Sequence, residues 1–212
     1  MTPIKLILVD DHAVVRSGLR RLLELNKSIE VVAEAGCGEQ AYQRYGELQP
    51  DIVVMDISMP GMGGLESARR IIQRYPAAKI IIFSMHASAS FASQALKSGV
   101  RAYVAKTGAV EDLILAVIEV SSGGIFISPE VAQKITQEML LGQDDPMHQL
   151  SGREFEVFRL LAEGKKVEVV ADMLKISPKT VANYYTTIKQ KLGVVSPVEM
   201  VRLAIRHGLI DG

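Results

Sequence analysis

Cysteine is almost absent: Cys37 is the only one in the chain. A lone thiol excludes an internal disulfide and points to a reducing compartment. No apolar run approaches the roughly 20 residues that a membrane helix needs, so no membrane partner is expected. Met1-Thr2-Pro3-Ile4-Lys5 leads straight into a short apolar strand without signal-peptide architecture, and the expected location is the cytoplasm. The four histidines (His12, His86, His148 and His207) are scattered, and none shows a metal-ligand spacing. Net charge is also missing, with 24 Lys+Arg against 24 Asp+Glu. That balance hides an asymmetry. Residues 1–148 hold 14 basic and 17 acidic residues, and residues 149–212 hold 10 and 7. A basic back half hints at an anionic partner there. The length, 212 residues, suits two modest domains.

The stretch Asp51-Ile52-Val53-Val54-Met55-Asp56 carries the strongest signal in the front half. Ile52–Met55 is an uninterrupted, β-branched run that suits a strand buried on both faces of a parallel sheet. Pro60-Gly61 stops it soon after Asp56. Around it the pattern alternates strand and helix. Strands are expected at 4–9, 29–35, 52–55, 79–84 and 102–105, and helices at 13–25, 39–48, 65–74, 88–98 and 110–121. Five βα units imply a flavodoxin-like, doubly wound sheet of five parallel strands. The residues that end the strands then converge on one rim, where open α/β sheets bind ligands. They are Asp10 and Asp11, Asp56, Ser84 and Lys106. Three carboxylates at one rim repel unless a cation compensates. Hard oxygen ligands suit Mg2+, and Lys106 supplies a further positive charge.

These residues, together with Met59-Pro60-Gly61 and Tyr103, resemble the receiver domain of bacterial response regulators over residues 4–122. The resemblance implies that Asp56 accepts a phosphoryl group from a sensor histidine kinase. It further implies that Asp11, Asp56 and the backbone carbonyl of Ser58 ligate Mg2+, with Asp10 acting through water. Lys106 would pair with a phosphoryl oxygen and the Ser84 hydroxyl would bond another. Tyr103 matches the switch aromatic, expected to turn inward when Ser84 moves. Ser58 and His86 stand where the family tunes the lifetime of the phosphoryl group.

Residues 123–148 read as a linker with one helix at 129–141, and the segment 142–148 has no apolar periodicity. The last part, 149–212, reads as an all-α four-helix domain. Ser151 answered by Glu154 forms a capping box, and Ser177-Pro178 and Ser196-Pro197 open two further helices. Two helices joined by a tight turn make a helix-turn-helix. The third of the four puts Val181, Tyr185, Ile188 and Leu192 inward and Ala182, Asn183, Thr186 and Gln190 outward. From Met173 to Val198 there is no acidic residue, yet Lys175, Lys179, Lys189 and Lys191 all fall there. An uncompensated cationic helix suits the phosphates of DNA.

This segment resembles the LuxR-type helix-turn-helix that closes response regulators of the NarL/FixJ family. The carrying residues are Leu150-Ser151-x-Arg153-Glu154, Leu160–Lys165, Ile176–Val181 and Lys191–Val194. Arg206-His207-Gly208-Leu209 resembles the GacA/UvrY branch. Asn183 and Thr186 are candidates for base-edge contact, and Lys179, Thr180, Tyr184, Lys189 and Lys191 for holding the DNA backbone. Ala182 stands where many members carry a lysine. The resulting expectation is a DNA-binding transcriptional response regulator that dimerises when phosphorylated and turns over no separate substrate. A compact resting state is expected to cover the basic helix. One alternative is a DNA-binding regulator that ignores phosphorylation because its receiver is vestigial. Another is a magnesium-dependent phosphohydrolase, which leaves the basic half unexplained.

Overall fold

The computed structural model describes residues 2–140 and 146–210. The front half alternates as the periodicity dictates: β1 (Ile4–Val9), α1 (Ala13–Glu24), β2 (Ile29–Ala35), α2 (Gly38–Leu48), β3 (Ile52–Met55) and α3 (Gly64–Arg74). It continues through β4 (Ile80–Ser84), α4 (Ala89–Lys97), β5 (Ala102–Ala105) and α5 (Val110–Ser121). All strand pairs are parallel, and the order is β2-β1-β3-β4-β5-β6, where β6 is Phe126–Ile127. Side chains alternate across the strands. Ile7, Val9, Val53, Met55 and Ile82 face α2, α3 and α4, while Leu6, Leu8, Val54, Ile81 and Val104 face α1 and α5. Both faces are covered, so β3 is buried throughout. Each such aliphatic side chain contributes about 1.5–3 kcal/mol of transfer free energy.

The sheet has one strand more than expected. Gly123, at φ 93°, turns the chain after α5 so that Phe126–Ile127 runs beside Ala102–Tyr103. A two-residue strand is too short to leave a period in the sequence. The helix that follows, α6 (Pro129–Leu140), buries Val131 completely and packs against α4 and β5. Residues 142–145 of the expected linker lie outside the described residues. Residues 146–148 belong to a 3-10 turn, Pro146–Gln149, in which Met147 is fully buried.

The back half comprises α7 (Gly152–Ala162), α8 (Val167–Leu174), α9 (Pro178–Leu192) and α10 (Pro197–Arg206). The capping box at Ser151 and Glu154 is present, and Ser177 and Ser196 cap α9 and α10 through Thr180 and Glu199 N–H groups. Lys175, at φ 53°, makes the sharp turn between α8 and α9.

The two halves pack against each other. The Gln94 amide on α4 donates to the carbonyls of Met147 and Leu150 at 2.6 and 3.1 Å. Phe91 meets Phe155 of α7 edge-on, with ring centroids 4.9 Å apart. Gly61 N–H donates to the carbonyl of Met173 in α8 at 2.6 Å. Among the described residues, no buried side-chain nitrogen or oxygen lacks a hydrogen-bond partner.

Candidate functional site

Parallel pairing brings the ends of β1, β3, β4 and β5 to one rim. Asp56 N–H donates to Val9 O and Lys106 N–H to Ser84 O, so backbone bonds fix the register of the residues carrying the chemistry. Lys106 Nζ lies 2.5 Å from Asp10 Oδ2 and 2.9 Å from Asp56 Oδ2. The other Asp56 oxygen accepts the Ile57 N–H at 2.7 Å. Asp10 and Asp56 are 3% and 5% exposed, so both charges are held largely out of water. Removing a charge from water is costly unless it is paired, and here two carboxylates share one ammonium.

The electrostatics follow from that ratio. Burial raises the Asp56 pKa above the ordinary carboxylate value; Lys106 opposes the shift and the neighbouring Asp10 charge adds to it. Burial works to lower Lys106, but Asp56 and Asp10 outweigh it and keep the ammonium protonated. The site is thus one negative charge in excess, which suits a cation.

Asp11 completes the acidic group from the solvent side. Asp10, Asp11 and His12 each offer a ligand atom, all within 4.8 Å of one another. His12 Nδ1 is 2.9 Å from Asp11 Oδ1 and 3.2 Å from Asp10 Oδ1. This corrects the reading of the histidines as merely scattered: His12 belongs to the acidic cluster. Its adjacency to Asp10-Asp11 was visible, but a single histidine beside two acids has no ligand spacing. The hard oxygens of the set fit Mg2+ better than a soft metal.

Ser84 and Tyr103 lie behind the rim, both 0% exposed. Tyr103 Oη donates to the His86 carbonyl at 2.5 Å and is also hydrogen-bonded to Ser84. Burial pushes the phenol far above its usual pKa. The expected switch aromatic is therefore already inward. Ser84 Oγ accepts the His86 N–H at 3.2 Å, and Ser58 Oγ bonds His86 Nε2 at 2.9 Å. Ser58 follows Asp56 by two residues in the same loop.

The second candidate surface is α9. Val181 and Ile188 are fully buried, whereas Ala182, Asn183, Thr186 and Lys179 are exposed. The packing of the two halves therefore leaves these residues in solvent, contrary to the expectation that the front half covers them. On this side the front half bonds to the Met173 carbonyl through Gly61, and on α9 Arg69 of α3 comes near Tyr184. Thr180 is tied to the Ser177 cap at 2.8 Å, and Thr186 donates its hydroxyl to the Ala182 carbonyl at 3.1 Å. Lys189 Nζ sits 5.7 Å from the Tyr185 ring centroid. Lys191 is ion-paired with Glu154 at 2.6 Å, so it also braces α7. Tyr184 is half-buried. On α10, Ala204 is buried while Val198 and Ile205 are 61% and 41% exposed.

Sequence reasoning did not find Gln94. It lies among Ala92 and Ala95 on the buried side of α4, and a polar residue on that stripe was the available sign.

An acidic rim with a bridging lysine on a parallel α/β sheet, followed by a helix-turn-helix, defines a receiver joined to a DNA-binding module. Comparison with known proteins agrees. Residues 6–118 match the response regulator receiver domain, and residues 148–204 match the bacterial regulatory proteins of the luxR family. The chain is 37% identical to the response regulator GacA of Pseudomonas aeruginosa over 210 residues, 98% of each chain. It is 38% identical to the response regulator UvrY of Escherichia coli, covering 98% of this chain and 96% of that one. Among solved structures, RcsB from Salmonella enterica serovar Typhimurium, bound to promoter rprA in the presence of phosphomimetic BeF3−, superimposes with a TM-score of 0.74. It is 27% identical, with 95% of this chain and 98% of that one covered. The chain belongs to the LuxR-type response regulators of two-component systems, which couple a receiver to DNA-binding transcription regulation.

Proposed function

We propose that Asp56 is the phosphoacceptor and that phosphorylation controls dimerisation and promoter binding. The observation that carries this reading is the Lys106 ammonium held between the nearly buried carboxylates of Asp10 and Asp56. An Asp56 oxygen attacks the phosphorus of a kinase phosphohistidine. The P–N bond breaks, and the imidazole nitrogen leaves with the electron pair and takes up a proton. Lys106 then pairs with a phosphoryl oxygen, and the Ser84 hydroxyl turns to bond another. Asp11, Asp56 and the Ser58 carbonyl would hold Mg2+, with Asp10 acting through water. The ion supplies charge neutralisation on the transferring oxygens. The chain turns over no separate substrate in this reading.

In the back half, Lys179, Thr180, Tyr184, Lys189 and Lys191 hold DNA phosphates, while Asn183 and Thr186 read base edges in the major groove. Ala182 removes one cationic contact from that face. The exposed Val198 and Ile205 on α10 are proposed to meet their twins on a two-fold site. One solved relative, 27% identical and with a TM-score of 0.62, is described as two RcsB dimers bound to two parallel DNAs, which supports a dimer on DNA.

The exposure of Ala182, Asn183 and Thr186 favours one second reading, DNA binding that does not await phosphorylation. A single experiment separates the two. The protein is incubated with magnesium and acetyl phosphate, phosphoryl uptake is read by mass, and footprints on genomic fragments are compared before and after. The proposed function predicts uptake of one phosphoryl group and a stronger footprint. An equal footprint in both states supports the second reading.

A further inference from the structure

On α1, Arg16 turns inward where its neighbours do not: its side chain is 17% exposed, against 43% for Arg20. Arg16 stands one helical turn past His12, whose carbonyl accepts its N–H at 3.1 Å. Side chains of a helix lean toward its N-terminus, so the guanidinium reaches back to the Asp10-Asp11 turn. Its Nη1 donates to the Asp10 backbone carbonyl at 2.5 Å, and its Nε lies 3.3 Å from Glu34 Oε2 on β2. Glu34 also pairs with Arg20 at 3.3 Å, and Arg20 in turn donates to the Val31 carbonyl. Two contacts made through one planar group leave the guanidinium little freedom. The Asp10 N–H, for its part, donates to the Ala35 carbonyl at 3.1 Å. Both backbone groups of Asp10 are thus held from β2, the N–H directly by Ala35 and the carbonyl by Arg16 through Glu34.

We infer that Arg16 is a positioning residue for magnesium, holding the peptide between Asp10 and Asp11 so that the two carboxylates keep the spacing the ion requires. This rests on the reading of Asp10 and Asp11 as holders of Mg2+. The Asp10 carbonyl belongs to the same planar peptide unit as the Asp11 N–H. Turning that plane swings Asp11, whose side chain reaches toward solvent beside His12. Mg2+ demands near-octahedral geometry and tolerates displaced ligands poorly. Arg16 takes its ion pair from Glu34 and not from a carboxylate of the rim, so the negative charge that attracts the ion is left in place. By charge alone, a cation this close to the acidic group weakens magnesium binding. Geometry and charge therefore act in opposite directions at Arg16, and the sign of its effect tells them apart.

The test titrates the full chain with Mn2+, whose free-ion paramagnetic signal falls on binding, and then displaces it with Mg2+. Arg16→Met keeps the packed stem and removes every donor. It is expected to weaken Mg2+ binding about ten-fold, the lower end of what loss of a group orienting a metal ligand costs. Arg16→Lys keeps the charge but cannot hold Glu34 and the Asp10 carbonyl in one plane, and it should recover part of the loss. Arg20→Ala removes a cation from the same Glu34 without touching Asp10, so its affinity should not fall. Phosphoryl uptake from acetyl phosphate by Arg16→Met should need correspondingly more magnesium yet approach the wild-type rate at saturation, because Asp56 and Lys106 keep their places. Unchanged or tighter Mg2+ binding by Arg16→Met, with a lowered melting temperature, would make Arg16 a stitch between α1 and β2 and overturn the inference. Equal weakening in Arg20→Ala would overturn it too, since loosening of α1 would then suffice. A wild type that binds neither ion overturns the magnesium reading itself, and the inference with it.

Discussion

Asp10, Asp56 and Lys106 are buried and bonded to one another, whereas Lys179, Asn183 and Thr186 stand in solvent along one face of α9. The contrast follows from what each region must do. The acceptor rim prepares a covalent step, and preorganised charge in a poorly solvated place acts there without further rearrangement. The proposed recognition face would meet a duplex that supplies its own charges and edges, and its groups stand exposed at the surface. The same difference sets what each region tolerates. At the rim a single atom decides the outcome, while on α9 the contacts are several and roughly additive.

The largest effect expected from breaking that contrast is at Asp56. Asp56→Asn removes the nucleophilic oxygen and should abolish phosphoryl uptake, read as the absence of a mass shift with acetyl phosphate and magnesium. The fold should survive, because ionised Asp56 is held against its own desolvation and the amide carries no such burden. In the wild type, the raised Asp56 pKa means that the carboxylate gains its proton at a higher pH than an ordinary aspartate. Uptake should therefore fall off, as pH is lowered, above the usual carboxylate range. Uptake by Asp56→Asn at the wild-type rate would move the acceptor elsewhere.

A smaller effect is expected on α9. Asn183→Ala would remove the proposed base-edge contact and should weaken binding to a specific site by about 1–3 kcal/mol while relaxing preference at one position. Lys179→Ala should instead weaken binding to all sequences alike and make the salt dependence shallower by about one unit. Titration of a footprinted site against salt distinguishes them. If both variants behave alike, Asn183 touches phosphate rather than base.

The two regions were also unequally legible in the sequence. The rim could be read because a parallel sheet converts position along the chain into position in space. Asp10, Asp56, Ser84 and Lys106 each end an apolar run, and pairing brings the ends together. The helix-turn-helix could be read from its caps, with Ser151, Ser177 and Ser196 all bonding where expected. The seam between the halves could not. Phe91 and Phe155 each look like ordinary core residues of their own helix, and nothing local says that they meet. Strand β6 escaped because two residues have no period, and His12 because its partners are set by the turn after β1.

The smallest expected effect lies on that seam, at Glu156. Its carboxylate is 5% exposed and 2.8 Å from Nη1 of Arg153, whose Nη2 donates to the Leu174 carbonyl. Arg159 lies along the same helix, and across the seam stands Glu66, itself paired with Arg69 and Arg70. Burial raises the Glu156 pKa; Arg153 and Arg159 oppose the shift and the Glu66 charge adds to it. A raised value in the docked state means that docking takes up a proton. Docking is then favoured below the ordinary glutamate value and weakens as pH rises from there to the raised one. Glu156→Gln keeps the shape without the charge, so it should stay docked as pH rises through that window while wild type loosens. Small-angle scattering of the full chain against pH reads the docking directly, since separation of the halves enlarges the particle. A wild type and a Glu156→Gln variant that expand together as pH rises would show that another group carries the proton.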